Sequence, residues 1–128
     1  MKKSYWLFKS EPDAYSLQDL EKEPKKTAFW DGIRNYQARN LLRDTIQIGD
    51  EILFYHSRIA KPAVVGTSIV VSEAYPDPTA MDSKSNYYDP KQTLEKPIWY
   101  GVDIQYVSRF SHQLNRDDLK KIKGLNLL

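Results

Sequence analysis

The fold is decided by the stretch Glu51-Ile52-Leu53-Phe54-Tyr55-His56-Ser57 and by the valine- and isoleucine-rich run from Ala63 to Ala74 that follows it. β-Branched and aromatic residues favour strands, and Lys61-Pro62 between the two runs predicts a turn. Both runs are apolar almost throughout instead of alternating, which is typical of strands buried on both faces. We therefore expect a strand pair within a closed or helix-covered barrel.

A strand and a short helix are predicted before this pair. The aromatic-rich stretch from Ser4 to Lys9 predicts the strand. Ser16 is the expected helix N-cap, because Asp19 three residues later would complete a capping box. This helix should run from Leu17 to about Glu23, since Pro24 cannot continue it.

Further elements make the domain a mixture of helices and strands. Asn35 is a predicted N-cap for a second helix, whose apolar stripe is Ala38, Leu41 and Leu42. Residues 75–97 carry four prolines and predict a long irregular loop of the kind that is often functional. Residues 98–110 predict a strand, and residues 111–123 predict a loop and a last amphipathic helix. The mixture indicates an α+β domain built on a small barrel or curled sheet.

Composition limits the classes of function. A chain of 128 residues with 41% hydrophobic and 28% charged residues forms one globular domain and is a poor fit to a disordered chain. The net charge of +2 is too balanced to identify a nucleic-acid-binding protein. The absence of cysteine excludes disulfides, thiolate metal sites and cysteine nucleophiles. No apolar run suits a signal peptide or a membrane span, so we expect a soluble protein, cytoplasmic in a bacterium or nuclear in a eukaryote.

Catalytic and metal-binding motifs are scarce. His56 and His112 lack the spacing that places two metal ligands on one face. Ser57 cannot be a nucleophile activated by His56, because neighbours on a strand point to opposite faces. Carboxylates at turns could serve as general acids or bases, but turn chemistry explains them equally well: Glu11, Asp13, Asp31 and Asp50. We expect no cofactor, no metal and no catalytic activity.

Aromatic residues give a stronger signal, since the chain has 3 Trp, 9 Tyr and 4 Phe. The clearest segment is Trp30-Asp31-Gly32-Ile33-Arg34-Asn35-Tyr36. An indole can stack on a nucleobase, Asp and Asn can hydrogen-bond to a base edge, and an arginine can reach a phosphate. Packing of Trp30 in the core is the alternative interpretation, and the residues alone leave both open.

Several blocks are specific enough to be compared with a known family. They are Tyr5-Trp6-Leu7-Phe8-Lys9-Ser10-Glu11-Pro12, Trp30-Asp31-Gly32-Ile33-Arg34-Asn35-Tyr36-Gln37-Ala38-Arg39-Asn40, Gly49-Asp50 with Phe54-Tyr55-His56-Ser57, Val65-Gly66, and Glu73-Ala74-Tyr75-Pro76-Asp77-Pro78-Thr79. In this order, from about Tyr5 to Leu128, the chain resembles the EVE domain family. The resemblance implies a PUA-like fold, a small β-barrel with flanking helices, related to the YTH domain. Family members usually continue past the segment 119–128, so we expect a single domain over residues 1–128 that lacks its C-terminal strand and helix.

The resemblance also implies a function. It implies a non-catalytic reader of a modified base, with modified cytosine in DNA as the first ligand, flipped into an aromatic pocket where Trp30 stacks on the ring. Trp99 is added to this pocket because of its position on the predicted strand. The implied pocket residues are Lys9, Ser10, Glu11, Trp30, Asp31, Gly32, Asn35, Tyr36, Tyr55, His56, Ser57 and Trp99. The base edge would be held by Ser10, Asn35 and Ser57, and phosphates by Lys9, Arg34 and Arg39.

Two other readings stay open. The first is a reader of modified RNA or an RNA-processing enzyme, in which Lys9, Glu11 and Asp31 would perform general acid–base chemistry. The second is a regulatory domain that binds a small molecule or a partner protein in the same aromatic cleft. The sequence does not indicate an oligomeric state.

Overall fold

A curled, mixed six-stranded sheet forms the body of the domain in the computed structural model, which describes residues 4–115, 118 and 125–127. The elements are β1 (Tyr5–Ser10), α1 (Leu17–Lys22), β2 (Thr27–Phe29), α2 (Tyr36–Asp44), β3 (Glu51–His56), β4 (Ala63–Val70), β5 (Tyr75–Pro76), β6 (Tyr100–Gly101), β7 (Asp103–Leu114) and β8 (Leu125–Leu127). The strand order is β2-β7-β4-β3-β1-β8, and β5 and β6 form a separate ribbon. β1 runs parallel to β3 and β8, whereas the other pairs are antiparallel. The α+β prediction is confirmed.

The core lies on one face of the central strands and beneath α1. Trp6 and Phe8 of β1 are paired in register with Ile52 and Phe54 of β3, and all of these side chains are buried. Burial of a side chain of this size stabilises the fold by roughly 1.5–3 kcal/mol. A smaller cluster on the opposite face includes Leu7, Tyr55 and Val64. The predicted burial on both faces therefore holds near Tyr55 and Val64, whereas Leu53 and its cross-strand partner Thr67 on the same face are only partly buried.

Both helices begin at the predicted caps. The Ser16 hydroxyl accepts a hydrogen bond of 3.1 Å from the amide of Asp19, whose carboxylate accepts one of 2.8 Å from the Ser16 amide. The side chain of Asn35 accepts a hydrogen bond of 2.9 Å from the amide of Ala38. These bonds satisfy amides that have no partner within the helix. They fix where the chain turns away from β1 and from β2, the two places that border the candidate site.

The region after β6 differs from the prediction. Residues 111–114 belong to β7 and not to a loop, because β4 continues to pair with this strand as far as Val64 opposite Leu114. The helix predicted within residues 111–123 lies almost entirely outside the described residues. Leu125–Leu127 pairs in parallel with β1, a strand that the sequence did not predict. No helix in the described part of the chain is long and apolar enough to span a bilayer.

The predicted irregular loop is ordered by side chains. The buried side chain of Gln92 accepts hydrogen bonds from the amides of Ile98 (3.1 Å) and Trp99 (2.6 Å) and donates one of 2.9 Å to the Asp77 carbonyl. The amide of Asp77 in turn donates to the carbonyl of Trp99 at 2.8 Å. The indole N–H of Trp99 donates to the carboxylate of Asp89 at 2.8 Å. This segment therefore has a fixed path beside the sheet.

Candidate base-binding pocket

A cavity of about 660 Å³ lies between the end of β1 and the loop that follows β2. Its volume is in the range of pockets that hold small organic ligands. The lining combines aromatic rings with several carboxylates. The lining residues are Lys9, Ser10, Glu11, Ala14, Tyr15, Glu23, Ala28, Phe29, Trp30, Asp31, Gly32, Ile33 and Tyr87.

Trp30 is both a core residue and a wall of this cavity. Its ring centroid lies 5.1 Å from that of Phe8 and 5.5 Å from that of Phe54, the second in an edge-to-face arrangement. Its amide donates a hydrogen bond of 2.9 Å to the carbonyl of Val102. The residue remains half-buried and lines the cavity. Trp30 therefore packs against the core, as one interpretation of the sequence has it, and it also lines the cavity, while stacking on a nucleobase stays a prediction.

Gly32 lets the loop after β2 pass closely beneath Tyr87. Its φ is +81°, a conformation that side chains with a Cβ rarely adopt. A Cβ at this position would lie 2.7 Å from Cζ of the Tyr87 ring. Gly32 is thus required both by its backbone and by the ring against it, and the two residues together close one side of the cavity.

Arg34 is bound within the protein through its whole guanidinium group. Nε and Nη2 donate to the carbonyl of Tyr87 at 3.1 and 2.7 Å, Nη1 donates to the Asp77 carboxylate at 3.0 Å, and Nη1 and Nη2 also reach the Ile33 carbonyl and the Thr79 hydroxyl. These bonds use the five N–H groups that an arginine has. The structure therefore gives Arg34 a role in holding the loop and leaves it no N–H group for a phosphate.

Carboxyl groups dominate the charge of the cavity. Burial, and then the charge of Asp77, raise the pKa of Asp31 above its ordinary value, although Arg34 partly opposes this and the residue as a whole is exposed. Burial, and then the carboxylate of Glu23, raise the pKa of Tyr15, whose buried hydroxyl has no hydrogen-bond partner of good geometry among the described residues. Glu11 forms an exposed ion pair of 2.8 Å with Arg58. Glu23 and Asp31 thus leave carboxyl oxygens available to a ligand that carries hydrogen-bond donors.

The structure brings half of the predicted pocket residues together. Those that line the cavity are Lys9, Ser10, Glu11, Trp30, Asp31 and Gly32. The hydroxyl of Ser10 donates a hydrogen bond of 2.5 Å to the carbonyl of Tyr15. The ammonium of Lys9 lies 5.9 Å from the ring centroid of Tyr55. Lys9 is the one cation among the described lining residues, and its ammonium lies near Tyr55, which packs on the opposite face of the sheet.

Other predicted residues lie next to the pocket without lining it. Asn35 caps α2. Tyr36 is exposed and its ring centroid is 4.9 Å from that of the buried Trp99. Arg39 lies 5.0 Å above the Tyr36 ring and donates to the carbonyl of Ile98 at 2.7 Å. None of the predicted pocket residues Asn35, Tyr36 and Trp99 lines the cavity.

The end of β3 supports the pocket from outside. Tyr55 packs on the opposite face of the sheet in the cluster with Leu7 and Val64. His56 accepts a hydrogen bond of 3.1 Å from the amide of Leu17 through Nε2, and it borders a separate cavity of about 430 Å³. The amide of Ser57 donates to the carbonyl of Ser10 at 2.9 Å. β3 thereby fixes the end of β1, whose residues do line the pocket.

Several lining residues were not predicted. Tyr15, Glu23 and Phe29 come from segments near Trp30 or β1, and Tyr87 comes from the segment after β5. Asp77, which anchors the loop through Gly32 and Arg34, lies in one of the blocks that resemble the family but was not a predicted pocket residue. No periodicity or spacing indicates these contacts. In the described part of the chain, no cluster of three or more His, Asp or Glu residues could hold a metal ion.

Known proteins of the same fold extend these observations. The family model of the EVE domain matches residues 4–128. Thymocyte nuclear protein 1 of Mus musculus is 42% identical over 126 residues, which are 91% of this chain and 55% of that protein, so the chain spans about half the length of the curated relatives it matches. A hypothetical protein from Leishmania major has a structure with a TM-score of 0.85 at 47% identity, covering 95% of this chain and 76% of its own.

A third relative was solved with a ligand. The crystal structure of the human THYN1 protein in complex with DNA that contains 5-methylcytosine has a TM-score of 0.86 and 40% identity, and it covers 92% of this chain and 74% of its own. Similarity of this extent in both sequence and structure, together with a family model that covers nearly the whole chain, identifies the family. The chain belongs to the EVE domain family.

Proposed function

We propose that this chain is a non-catalytic nucleic-acid-binding module that reads a modified base, with modified cytosine in DNA as the first ligand. The base is flipped out of its stack into the 660 Å³ cavity. The observation that carries this proposal is the position of Trp30, an indole anchored on Phe8 and Phe54 that lines a cavity large enough for a base. The complex of the human relative with 5-methylcytosine DNA supports the choice of ligand.

The energetics of flipping require both stacking and hydrogen bonds. Extrusion of a base costs a few kcal/mol, and stacking on an aromatic side chain returns about 1–3 kcal/mol. The remainder must come from the base edge. Glu23 and Asp31 offer carboxyl oxygens in the cavity, which are the acceptors that the exocyclic amino group of cytosine needs. Because the Trp30 loop is already ordered, binding does not have to order it.

The base-edge roles therefore differ from those that the resemblance implies. The Ser10 hydroxyl and the Asn35 side chain are used within the protein, and Ser57 does not line the cavity. Carboxyl groups of Glu23 and Asp31 take their place in the proposal. Cytosine fits these acceptors better than thymine does, because thymine carries a carbonyl where cytosine carries its amino group.

Lysines supply the phosphate contacts in this proposal. Lys9 lines the cavity, and Lys25 and Lys26 are exposed on the turn between Glu23 and Ala28, two further lining residues. Arg34 is left out of this set, because its guanidinium group donates hydrogen bonds within the protein. Contacts of this kind make the affinity fall with rising salt concentration.

The test is a titration with matched oligonucleotides that carry cytosine, 5-methylcytosine, 5-hydroxymethylcytosine or thymine at one position, followed by tryptophan fluorescence and anisotropy. We expect one modified cytosine to bind more tightly than its unmodified twin. Trp30→Ala should weaken that binding by about 10- to 100-fold, the loss of one stacked base. Tyr36→Ala is the matched control, because this exposed ring lies outside the cavity lining. Unfolding curves verify that each variant is folded.

Other outcomes separate the alternatives. Equal binding of modified and unmodified strands would refute a base reader. Tighter binding of the same modified strand as RNA would assign the pocket to RNA. Free nucleosides that bind as tightly as oligonucleotides, without salt dependence, would indicate a small-molecule site. Conversion of the labelled strand into a product would contradict a non-catalytic module.

A further inference from the structure

Asp77 connects the loop that carries Trp30 to the segment on the other side of the cavity. Its side chain is fully buried. One carboxylate oxygen accepts hydrogen bonds from the amide of Gly32 at 2.9 Å and from Arg34 at 3.0 Å. The other accepts from the amide and the hydroxyl of Thr79 at 2.8 and 2.6 Å. A buried carboxylate is stable only when it is satisfied in this way.

The same bonds fix two walls of the cavity. Arg34 binds Asp77 with one nitrogen and the carbonyl of Tyr87 with two others. The ring of Tyr87 lies against Gly32 and 5.5 Å from the guanidinium. Gly32 and Tyr87 both line the cavity. Their spacing, and the path of the chain from Trp30, therefore depend on the buried charge of Asp77.

Asp77 also acts on the cavity through its charge. Asp31 precedes Gly32 and lines the cavity. Burial raises the pKa of its carboxyl group, and the nearby charge of Asp77 raises it further, whereas the positive charge of Arg34 lowers it. The other titratable groups that line the same cavity are Lys9, Glu11, Tyr15, Glu23 and Tyr87. A neutral carboxyl group presents a donor beside an acceptor. That pair is complementary to N3 and the amino group of cytosine, whereas an ionised carboxylate only accepts.

We propose that Asp77 is the positioning residue of the base pocket: through Gly32 and Arg34 it holds the Trp30 loop, and with it the cavity-lining Asp31 carboxyl, in its binding geometry. This inference rests on the proposed function. It assigns Asp77 no contact with the base.

Two consequences distinguish positioning from simple stability. Binding of a modified cytosine weakens as the pH rises through the raised pKa of Asp31, because ionisation removes the donor that faces N3 and adds a negative charge. Asp77→Asn keeps the shape and an acceptor oxygen but removes the charge. The pKa of Asp31 then falls, since its repulsive neighbour is gone and Arg34 is no longer neutralised. The pH at which binding weakens should therefore move down.

The experiment measures the affinity for a 5-methylcytosine oligonucleotide across a pH series, with wild-type protein, Asp77→Asn and the exposed control Asp82→Asn. We expect Asp77→Asn to bind about tenfold or more weakly at neutral pH, since sites of this kind tolerate displacements of only about 0.5 Å. Its pH midpoint should lie below that of the wild type, and Asp82→Asn should match the wild type in both. An Asp77→Asn protein with wild-type affinity and midpoint would overturn the proposal.

A second variant covers the case in which Asp77→Asn does not fold. Asp31→Asn carries a fixed donor and acceptor in the same positions, so it should bind 5-methylcytosine DNA like the wild type at low pH and show no weakening as the pH rises. A wild-type pH profile in Asp31→Asn would overturn the role of this carboxyl and with it the proposal.

The free protein separates this inference from the proposed function. NMR titration of the Asp31 carboxyl carbon should give a raised pKa in the wild type and a lower one in Asp77→Asn, whether or not DNA binds. If these pKa values behave as expected and no modified oligonucleotide binds, the proposed function fails and the coupling of the two carboxyl groups stands. If modified DNA binds and the pKa of Asp31 is the same in both proteins, only the present inference fails.

Discussion

The backbone amide of Leu17 donates a hydrogen bond of 3.1 Å to Nε2 of His56, so the first turn of α1 is tied to the end of β3. An imidazole nitrogen can accept this bond only when it carries no proton. Burial lowers the pKa of His56 below its ordinary value of 6.5. The folded state therefore favours the neutral imidazole more than the unfolded chain does.

The first prediction concerns the pH dependence of stability. Because the pKa of His56 is lower in the folded state, its contribution to the free energy of unfolding is fully present above pH 6.5 and is lost as the pH falls through the folded pKa. In His56→Gln, the amide oxygen can accept the bond from Leu17 and does not titrate. Urea unfolding at a series of pH values should show a loss of stability below pH 6.5 in the wild type that is smaller in the variant. Equal slopes in the two proteins would contradict this role of His56.

The second prediction concerns the buried carboxylate of Asp50. It accepts hydrogen bonds from the indole of Trp6 at 3.0 Å and from the amides of Gln47 and Ser4 at 3.0 and 3.3 Å. Asp50→Ala leaves the buried Trp6 N–H without an acceptor, so we expect the free energy of unfolding to fall by roughly 2–4 kcal/mol. Asp44→Ala is the control: this exposed carboxylate pairs with the side chain of its neighbour Arg43, and its removal should lower the free energy of unfolding far less than the loss of Asp50 does. Similar losses in both variants would refute the assignment.

Features of the fold that depend on near neighbours could be predicted from the sequence. Each helix cap involves residues three positions apart, such as Ser16 with Asp19, so the signal lies within one turn of chain. Strand extent is different, because it depends on the partner strand. β7 continues to Leu114 since β4 offers it backbone groups as far as Val64, and nothing within residues 111–114 indicates this.

The candidate site also combines features that depend on near neighbours with features that depend on distant residues. Trp30 was predicted because an indole beside polar and basic residues is recognisable within a few positions of sequence. Arg34 lies in the same segment and was predicted to contact a phosphate. Its partner Asp77 is 43 residues away in the sequence, and the ion pair between them uses the arginine within the protein. Tyr87 reaches the cavity through a segment ordered by Gln92, whose side chain donates to the carbonyl of Asp77, 15 residues away. Tertiary contacts thus determine which of the polar side chains remain available to a ligand.

The third prediction concerns Gly66, where β4 passes close to both β7 and α1. A Cβ at this position would collide with the carbonyl oxygen of Ser108 and lie 2.5 Å from a methyl group of Leu17. Gly66→Ala should therefore lower the free energy of unfolding by about 1–3 kcal/mol through overpacking. Gly49→Ala is an informative comparison, because its Cβ would meet open space and only the φ of +93° opposes it. Urea unfolding measures both, and a Gly66→Ala protein as stable as the wild type would contradict this close packing.

The fourth prediction separates a phosphate contact from a structural arginine. If Lys9 contacts one phosphate, Lys9→Ala should reduce the slope of log affinity against log salt concentration by about 0.9 and leave the free energy of unfolding nearly unchanged. Arg34→Lys keeps the positive charge but cannot make the bonds to both Asp77 and Tyr87. It should lower the free energy of unfolding by about 1–3 kcal/mol and leave the salt slope unchanged. Salt titrations with a modified oligonucleotide and urea unfolding measure the two quantities on the same proteins. An Arg34→Ala variant of normal stability with a reduced salt slope would instead assign this arginine to the phosphate backbone, because loss of its charge would then remove a phosphate contact without loosening the loop.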